Sequence, residues 1–122
     1  MHAIVLFAHG SRDPLWHGPI QAVAQRIAQR APHTPVRCAY LELTEPDLPS
    51  VAAELVLAGA TSLCVVPMFL GVGRHAREDL PELLAAIQTA HPQLRVSCQS
   101  AVGEQPALLD LLAQIALNEP KA

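Results

Sequence analysis

Two histidines follow apolar, strand-like segments, and they are the residues of this chain best suited to metal chemistry. His9 comes directly after the run Ala3–Ala8, and His75 ends the segment Gly71-Val72-Gly73-Arg74-His75 that follows a later run. Neutral imidazole is the commonest nitrogen ligand for Co, Ni, Fe and Zn ions. A histidine pair without cysteines leaves coordination positions open, which suits an ion that is passed on. The pair predicts a site for a transient divalent metal ion.

Other polar and flexible residues lie near the two histidines. Glu42, at the end of the second strand-like run, could supply an oxygen ligand, accept a proton, or be a solvated carboxylate with no further role. Gly10, Gly71 and Gly73 would let the backbone approach a flat ligand closely. An isolated histidine at a strand end is more often a local hydrogen-bonding residue, and the two paired motifs favour the metal interpretation.

Three of the seven arginines, Arg12, Arg74 and Arg77, lie in the two loops predicted to carry the histidines. A guanidinium group binds a carboxylate through a planar fork. These arginines would therefore attract a substrate edged with carboxylates. Salt bridges to the acidic residues beside them explain each arginine equally well when it is taken singly.

Four β-type runs alternate with four helical patterns along the chain. The first and third runs are almost continuously apolar, as in strands that are covered on both faces. The alternation predicts an α/β fold with a four-stranded parallel sheet and helices on both faces, in one doubly wound domain over residues 1–122. The four predicted strands are Ala3–Ala8, Val36–Leu43, Ser62–Phe69 and Leu94–Ala101.

The ends of the helices have recognisable signals. Asp13-Pro14 predicts the cap and start of the first helix, with Pro19 indicating a later start or a kink as the alternative. Gly59 fits the end of the second helix, and Pro106 fits the first turn of the last one. Ligands of such sheets bind beyond the carboxyl ends of the strands, where the strand order reverses. A 2-1-3-4 order would bring His9 and His75 into one crevice, although the sequence alone does not establish that order.

Composition excludes several classes of function. The net charge of −3 argues against a general nucleic-acid binder, and the single lysine, Lys121, argues against Schiff-base chemistry. No segment has the apolar length of a membrane span or the features of a signal peptide, so no membrane partner is expected. Cys38, Cys64 and Cys98 are isolated in apolar segments, which predicts small core residues rather than a disulfide framework. The expected compartment is the cytoplasm.

Two motifs and a following tripeptide resemble those of a known family. They are Ala8-His9-Gly10-Ser11-Arg12, the longer Val66-Pro67-Met68-Phe69-Leu70-Gly71-Val72-Gly73-Arg74-His75, and Asp79-Leu80-Pro81. Together they resemble the short CbiX-type sirohydrochlorin chelatases of the class II chelatase family. The resemblance extends from the first strand to the turn Ala101-Val102-Gly103. Some relatives carry a histidine after the glycine of that turn, whereas Glu104 follows it here.

The resemblance implies a Rossmann-like chelatase fold and ATP-independent insertion of a divalent metal into sirohydrochlorin or a similar tetrapyrrole. It makes the metal a substrate, with Co²⁺ favoured over Ni²⁺ and Fe²⁺, and it implies no organic cofactor. It assigns metal binding to His9 and His75. From the chemistry of the residues themselves, we expect a freed imidazole of His9 or His75 to accept a pyrrole proton, with Glu42 as the second candidate. Longer relatives build their cleft from two such domains, so a homodimer is expected of this chain. The expected tetrapyrrole-binding residues are Ser11, Arg12, Leu70, Gly71, Val72, Gly73 and Arg74.

Two other functions use the same residues. A carrier could bind the metal or the tetrapyrrole and pass it on without catalysis, through the same ligands. A phosphocarrier could use His9 as its phosphorylated residue, but this function would leave the second motif without a role. A histidine phosphatase requires an arginine directly before the His-Gly pair, and Ala8 is in that position.

Overall fold

The computed structural model describes residues 1–120, so Lys121 lies outside the described part of the chain. Four strands alternate with four α-helices, and two 3-10 turns lie between them at Pro14–His17 and Val102–Glu104. The strands are β1 (His2–Ala8), β2 (Val36–Tyr40), β3 (Ser62–Pro67) and β4 (Arg95–Cys98). The helices are α1 (Gly18–Arg30), α2 (Leu48–Leu57), α3 (Arg74–Ala90) and α4 (Pro106–Leu117).

All four strands are parallel and lie in the order β2-β1-β3-β4. The predicted α/β class and the parallel sheet are confirmed. β2 lies on one side of β1, and β3 lies on the other side of it. The strand order therefore reverses between β1 and β3. The end of β1 lies between the ends of both neighbours, with Ala8 opposite Tyr40 and Phe7 opposite Pro67.

Alternate residues of each strand pack on opposite faces of the sheet. In β1, Ala3, Val5 and Phe7 belong to the larger buried cluster, which also contains residues of α2 and α3. Leu6 faces the other way and packs with Ile20 and other residues of α1. Burial on both faces explains why the β1 sequence is almost continuously apolar.

The predicted helix ends are largely confirmed. Asp13 Oδ1 accepts a hydrogen bond from the Leu15 N–H at 3.0 Å, which caps the 3-10 turn. The α-helix itself begins later, at Gly18, with Pro19 in its first turn. Gly59 follows α2 with φ of 106°, a left-handed conformation that favours glycine. Pro106 begins α4 as predicted.

Three predicted strands are too long at their ends. β2 ends at Tyr40 rather than Leu43, and Leu43 has a φ of 66°, which a strand cannot accommodate. β3 ends at Pro67, and β4 spans only Arg95–Cys98. Apolar residues continue into the loops because some of them, including Leu41, Phe69 and Ala101, pack in or against the larger buried cluster.

The three cysteines have free thiols, in agreement with the prediction that they form no disulfide. Cys38 and Cys64 are half-buried, whereas Cys98 is exposed, so the core interpretation is wrong for Cys98. The sulfur of Cys98 is nevertheless partly buried, and this burial and the nearby Cys64 both raise the pKa of the thiol. Among residues 1–120, no helix is long and apolar enough to cross a bilayer.

Candidate active site

His9 lies directly beyond β1, where the ring is held by an aromatic residue of the core. The His9 and Phe69 ring centroids are 4.5 Å apart, and Phe69 is only 2% exposed. Phe69 in turn meets Phe7 edge to face, with ring centroids 5.9 Å apart. This packing fixes one side of the half-buried His9 imidazole and leaves its remaining surface for the site.

Backbone hydrogen bonds hold the Glu42 segment beside the His9 segment. The Leu41 N–H donates to the carbonyl oxygen of Ala8 at 2.8 Å, and the Glu42 N–H donates to that of His9 at 3.0 Å. Gly10 follows with a φ of 93°, and a Cβ placed there would lie 2.1 Å from the Glu42 carbonyl oxygen. Glycine is required at position 10 because the two segments touch.

His75 lies in the first turn of α3, with Gly73 as the residue before the helix. The sequence prediction of a loop that carries Arg74, His75 and Arg77 is therefore wrong. Pro81 is the eighth residue of α3, and the helix continues through it. The helix gives the backbone of His75 a defined position, and the residue is exposed to solvent.

The candidate metal ligands line one pocket. It has a volume of about 260 Å³ and lies at the carboxyl end of the sheet, as predicted for this topology. His9, Glu42 and His75 all line it, from the ends of β1 and β2 and the start of α3. The other residues that line it are Leu41, Gly73, Arg74, Ala76 and Asp79.

The pocket has no ready-made ligand cluster. Within the described residues, no three His, Cys, Asp or Glu side chains are grouped closely enough to hold a metal ion. The two imidazoles are thus the nitrogen donors that the pocket offers.

A second, more apolar pocket of about 400 Å³ lies on the α1 side of the sheet, and His9 lines it as well. Trp16, which is 60% exposed, and Tyr40 contribute aromatic surface there. Sequence analysis missed this role of both residues, because Trp16 fitted a helical pattern and Tyr40 fitted a strand. The other residues that line it are Ala8, Pro19, Ile20, Val23, Met68 and Leu70.

His17 packs against Tyr40 beside the apolar pocket. The two ring centroids are 4.6 Å apart, and the Nε2 atom of His17 is shielded from solvent with no hydrogen-bond partner in the described structure. Burial raises the pKa of the Tyr40 hydroxyl, and the Cys38 thiol adds to the shift. Tyr40 therefore presents a neutral phenol at physiological pH.

The predicted tetrapyrrole-binding residues are spread over several positions. Gly73 and Arg74 line the polar pocket, and Leu70 lines the apolar one. Arg74 Nε also forms an exposed ion pair with Glu78 Oε1 at 3.0 Å, so the salt-bridge alternative describes Arg74 in this structure. Val72 and Arg77 line a separate pocket of about 280 Å³.

The other predicted tetrapyrrole-binding residues, Ser11, Arg12 and Gly71, lie outside the polar pocket and the apolar pocket. Ser11 Oγ accepts a hydrogen bond from the Asp13 N–H at 3.0 Å. Arg12 and Gly71 are exposed to solvent.

Comparison with known proteins identifies the family. The CbiX family model matches residues 3–118. The chain belongs to the CbiX family. It is 33% identical over 88 residues to the sirohydrochlorin cobaltochelatase of Methanococcus aeolicus, a match that covers 72% of this chain and 62% of the relative. The chain spans 58% and 64% of two further cobaltochelatases, from Methanococcus maripaludis and Methanocaldococcus jannaschii.

Two solved structures share the fold. The CbiX protein from Marinobacter aquaeolei has a TM-score of 0.83 and 28% identity, and the match covers 95% of this chain and 94% of that one. The sirohydrochlorin chelatase SirB from Bacillus subtilis subspecies spizizenii, in complex with cobalt, has a TM-score of 0.77 and 28% identity. The match covers 93% of this chain but only 48% of SirB.

Proposed function

We propose that this protein is a sirohydrochlorin chelatase that inserts a divalent metal ion into the macrocycle without ATP. One observation carries the proposal: His9 lines both the polar pocket that it shares with His75 and the apolar pocket beside it. A residue in that position can present an ion to a ring that lies against apolar surface. The names of the cobaltochelatase relatives and of SirB support the same activity.

The reaction replaces two pyrrole N–H protons by one dication. His9 and His75 bind the ion with part of its water removed and hold it close to the ring nitrogens. As metal–nitrogen bonds to the pyrroles form, the bonds to the imidazoles break. A freed imidazole or the Glu42 carboxylate accepts each proton that leaves a pyrrole nitrogen.

The apolar pocket supplies the surface on which the macrocycle rests. Trp16, Met68 and Leu70 offer flat or flexible apolar contacts to a ring. Arg74, at the mouth of the polar pocket, binds a peripheral carboxylate of the substrate. Its ion pair with Glu78 is exposed, and such pairs contribute at most about 1 kcal/mol, so a substrate carboxylate can replace Glu78.

Co²⁺ is the proposed physiological ion, with Ni²⁺ and Fe²⁺ as alternatives. Imidazole binds all three, and affinity follows the general divalent series rather than biological use. The support for cobalt comes from the cobaltochelatase relatives. SirB from Bacillus subtilis was solved both with cobalt and with Fe³⁺, so it supports either ion. No organic cofactor is required by the proposed chemistry.

The chain is proposed to be one chelatase-like domain that acts as a cytoplasmic homodimer. Its match covers about half of SirB. A second copy would close the cleft and supply the half that the longer chain carries in itself.

The test is an absorbance assay with metal-free sirohydrochlorin and excess Co²⁺, Ni²⁺ or Fe²⁺, with no nucleotide present. The proposal predicts multiple turnovers per chain and a rate well above the reaction without protein. Conversion that stops at one equivalent per site would instead identify a carrier. A rate equal to that without protein, for all three metals, would contradict the proposal.

A further inference from the structure

Three of the side chains that line the apolar pocket contain a nitrogen or oxygen atom, namely those of His9, Trp16 and Tyr40. His9 is already the proposed metal ligand. Trp16 is 60% exposed, so its indole N–H can meet water. Tyr40 is only 5% exposed, so a ligand in this pocket would separate its hydroxyl group from the remaining water.

The Tyr40 hydroxyl is a neutral donor without a partner in the protein. Burial and, to a smaller extent, the nearby Cys38 thiol raise its pKa, and no hydrogen bond contributes to the shift. The phenol therefore keeps its proton at physiological pH, and among residues 1–120 it has no acceptor for that proton. A ligand that covers this donor binds well only if it brings an acceptor of its own.

The end of β2 holds Tyr40 in a fixed position. Tyr40 lies opposite Ala8 in the sheet, and its backbone N–H donates to the Pro46 carbonyl oxygen at 2.9 Å. Its Cβ is only 3.1 Å from the place where a Cβ at Gly10 would lie. The side chain therefore extends from a rigid part of the backbone, beside the segment that carries His9.

His17 supports the Tyr40 ring from the segment that leads into α1. The two ring centroids are 4.6 Å apart, with 41° between the ring planes. The Nε2 atom of His17 is shielded from solvent and has no hydrogen-bond partner among the described residues. An unpaired buried nitrogen does not stabilise the fold, so the contribution of His17 at this place is the contact of its ring with Tyr40.

We propose that the Tyr40 hydroxyl binds a peripheral carboxylate of the tetrapyrrole, and that His17 positions the Tyr40 ring for this contact. An O–H that donates to an anionic oxygen forms a charge-assisted bond, which is stronger than a bond between neutral groups. Tyr40 therefore selects macrocycles with a carboxylate, rather than an alkyl group, at that place. The inference rests on the proposed function and concerns the ring-binding surface, not the metal ligands.

The first test measures porphyrin binding without metal, through quenching of the fluorescence of Trp16, the only tryptophan in the chain. Uroporphyrin has carboxylates around its whole periphery, whereas mesoporphyrin has alkyl groups except along one edge. Tyr40→Phe should raise Kd at least about 10-fold for uroporphyrin and less than about 3-fold for mesoporphyrin. An equal rise for both porphyrins, no rise for either, or no binding of uroporphyrin to the native protein would overturn the inference.

The second test examines His17 through its dependence on Tyr40. His17→Ala should raise Kd for uroporphyrin about 5-fold in the native chain but not in Tyr40→Phe, because a positioning residue acts through the hydroxyl. His17→Phe restores a ring without nitrogen and should recover most of the affinity. If His17→Phe binds as weakly as His17→Ala, then the positioning role is wrong. His33→Ala, at an exposed histidine, is the control and should keep the native Kd.

The third test separates this inference from the chelatase proposal. In the assay with metal-free sirohydrochlorin and Co²⁺, Tyr40→Phe should raise KM about 10-fold and leave kcat within about 2-fold of the native value. Native turnover combined with an unchanged KM in Tyr40→Phe would contradict the inference and leave the proposed function intact. A native protein without turnover would contradict the proposed function, and the porphyrin measurements would still decide the role of Tyr40.

Discussion

The backbone N–H of Glu42 donates a hydrogen bond to the carbonyl oxygen of His9 at 3.0 Å. The bond joins the segment beyond β2 to the segment beyond β1, after regular strand pairing has ended at Tyr40. The position of the Glu42 backbone is therefore set by the sheet and not by its own exposed side chain. The carboxylate begins next to the proposed metal ligand, where it can accept a proton.

Replacement of either histidine should remove metal insertion. We expect His9→Ala and His75→Ala each to lower kcat/KM for Co²⁺ insertion by at least about 100-fold, because each removes a proposed nitrogen ligand and the pocket lining contains no third histidine. His33→Ala, at an exposed histidine between α1 and β2, is the control and should keep native activity. Full activity in the variant that lacks both His9 and His75 would contradict the site assignment.

Gly10→Ala should damage both stability and activity. The new Cβ would lie 2.1 Å from the Glu42 carbonyl oxygen, at a φ of 93° that alanine rarely adopts. We expect a loss of about 2 kcal/mol in the free energy of unfolding. Gly18→Ala is the matched control, since a Cβ there meets nothing within 4 Å and its φ is −53°. Urea denaturation of both variants checks the prediction, and equal stabilities would refute it.

Trp16→Ala should weaken binding of the tetrapyrrole without weakening binding of the metal. Trp16 contributes apolar surface to the pocket that His9 also lines, at a distance from the polar pocket. We expect KM for sirohydrochlorin to rise about 10-fold, which corresponds to the loss of roughly 1.4 kcal/mol of binding free energy. Leu15→Ala, next to it and 86% exposed, should leave KM unchanged. An unchanged KM in Trp16→Ala would place the ring elsewhere.

Asp47 should make the stability of the fold depend on pH. Its Oδ1 accepts a hydrogen bond from the Ser50 N–H at 2.8 Å at the start of α2. Hydrogen bonds from the side chain and the backbone of Ser50 lower the pKa of this carboxyl. Because the pKa of Asp47 is lower in the folded protein than in the unfolded one, its ionisation stabilises the fold. This stabilisation is complete above the unfolded pKa of about 4 and is lost as the pH falls through the folded pKa.

Asp47→Asn separates charge from capping, because asparagine caps a helix nearly as well as aspartate. We expect the variant to be slightly less stable than the native protein at pH 7. The difference should be smaller at pH 3 than at pH 7, because protonation of Asp47 as the pH falls through its lowered pKa removes the charge. Urea unfolding midpoints of the variant and the native protein at pH 7 and pH 3 measure the difference in stability. A difference that is the same at both would show that the charge has no role.

The sequence predicted the sheet because β1 and β3 are continuously apolar, and the helix signals lie between them. The order β2-β1-β3-β4 is common for this pattern, so the shared pocket of His9 and His75 was predictable in outline. The contribution of Tyr40 to the apolar pocket was not predictable. A strand pattern does not show whether the last residue of the strand lines a pocket.

Long-range packing explains the other differences. His75 is helical although Pro81 follows it closely, because α3 already begins at Arg74, directly after Gly73. Leu43 looked like a strand residue, but its φ of 66° takes the chain out of the strand conformation, directly after the hydrogen bond from Glu42 to His9. Such contacts between distant segments leave no periodic signal in the sequence.

His9 and His75 are proposed to bind the same metal ion. Anomalous diffraction from crystals soaked in Co²⁺, recorded on both sides of the cobalt absorption edge, would locate that ion. We expect one cobalt peak in the pocket lined by Glu42, within bonding distance of a ring nitrogen of each histidine. A cobalt ion bound by only one of the two, or bound only outside that pocket, would contradict it.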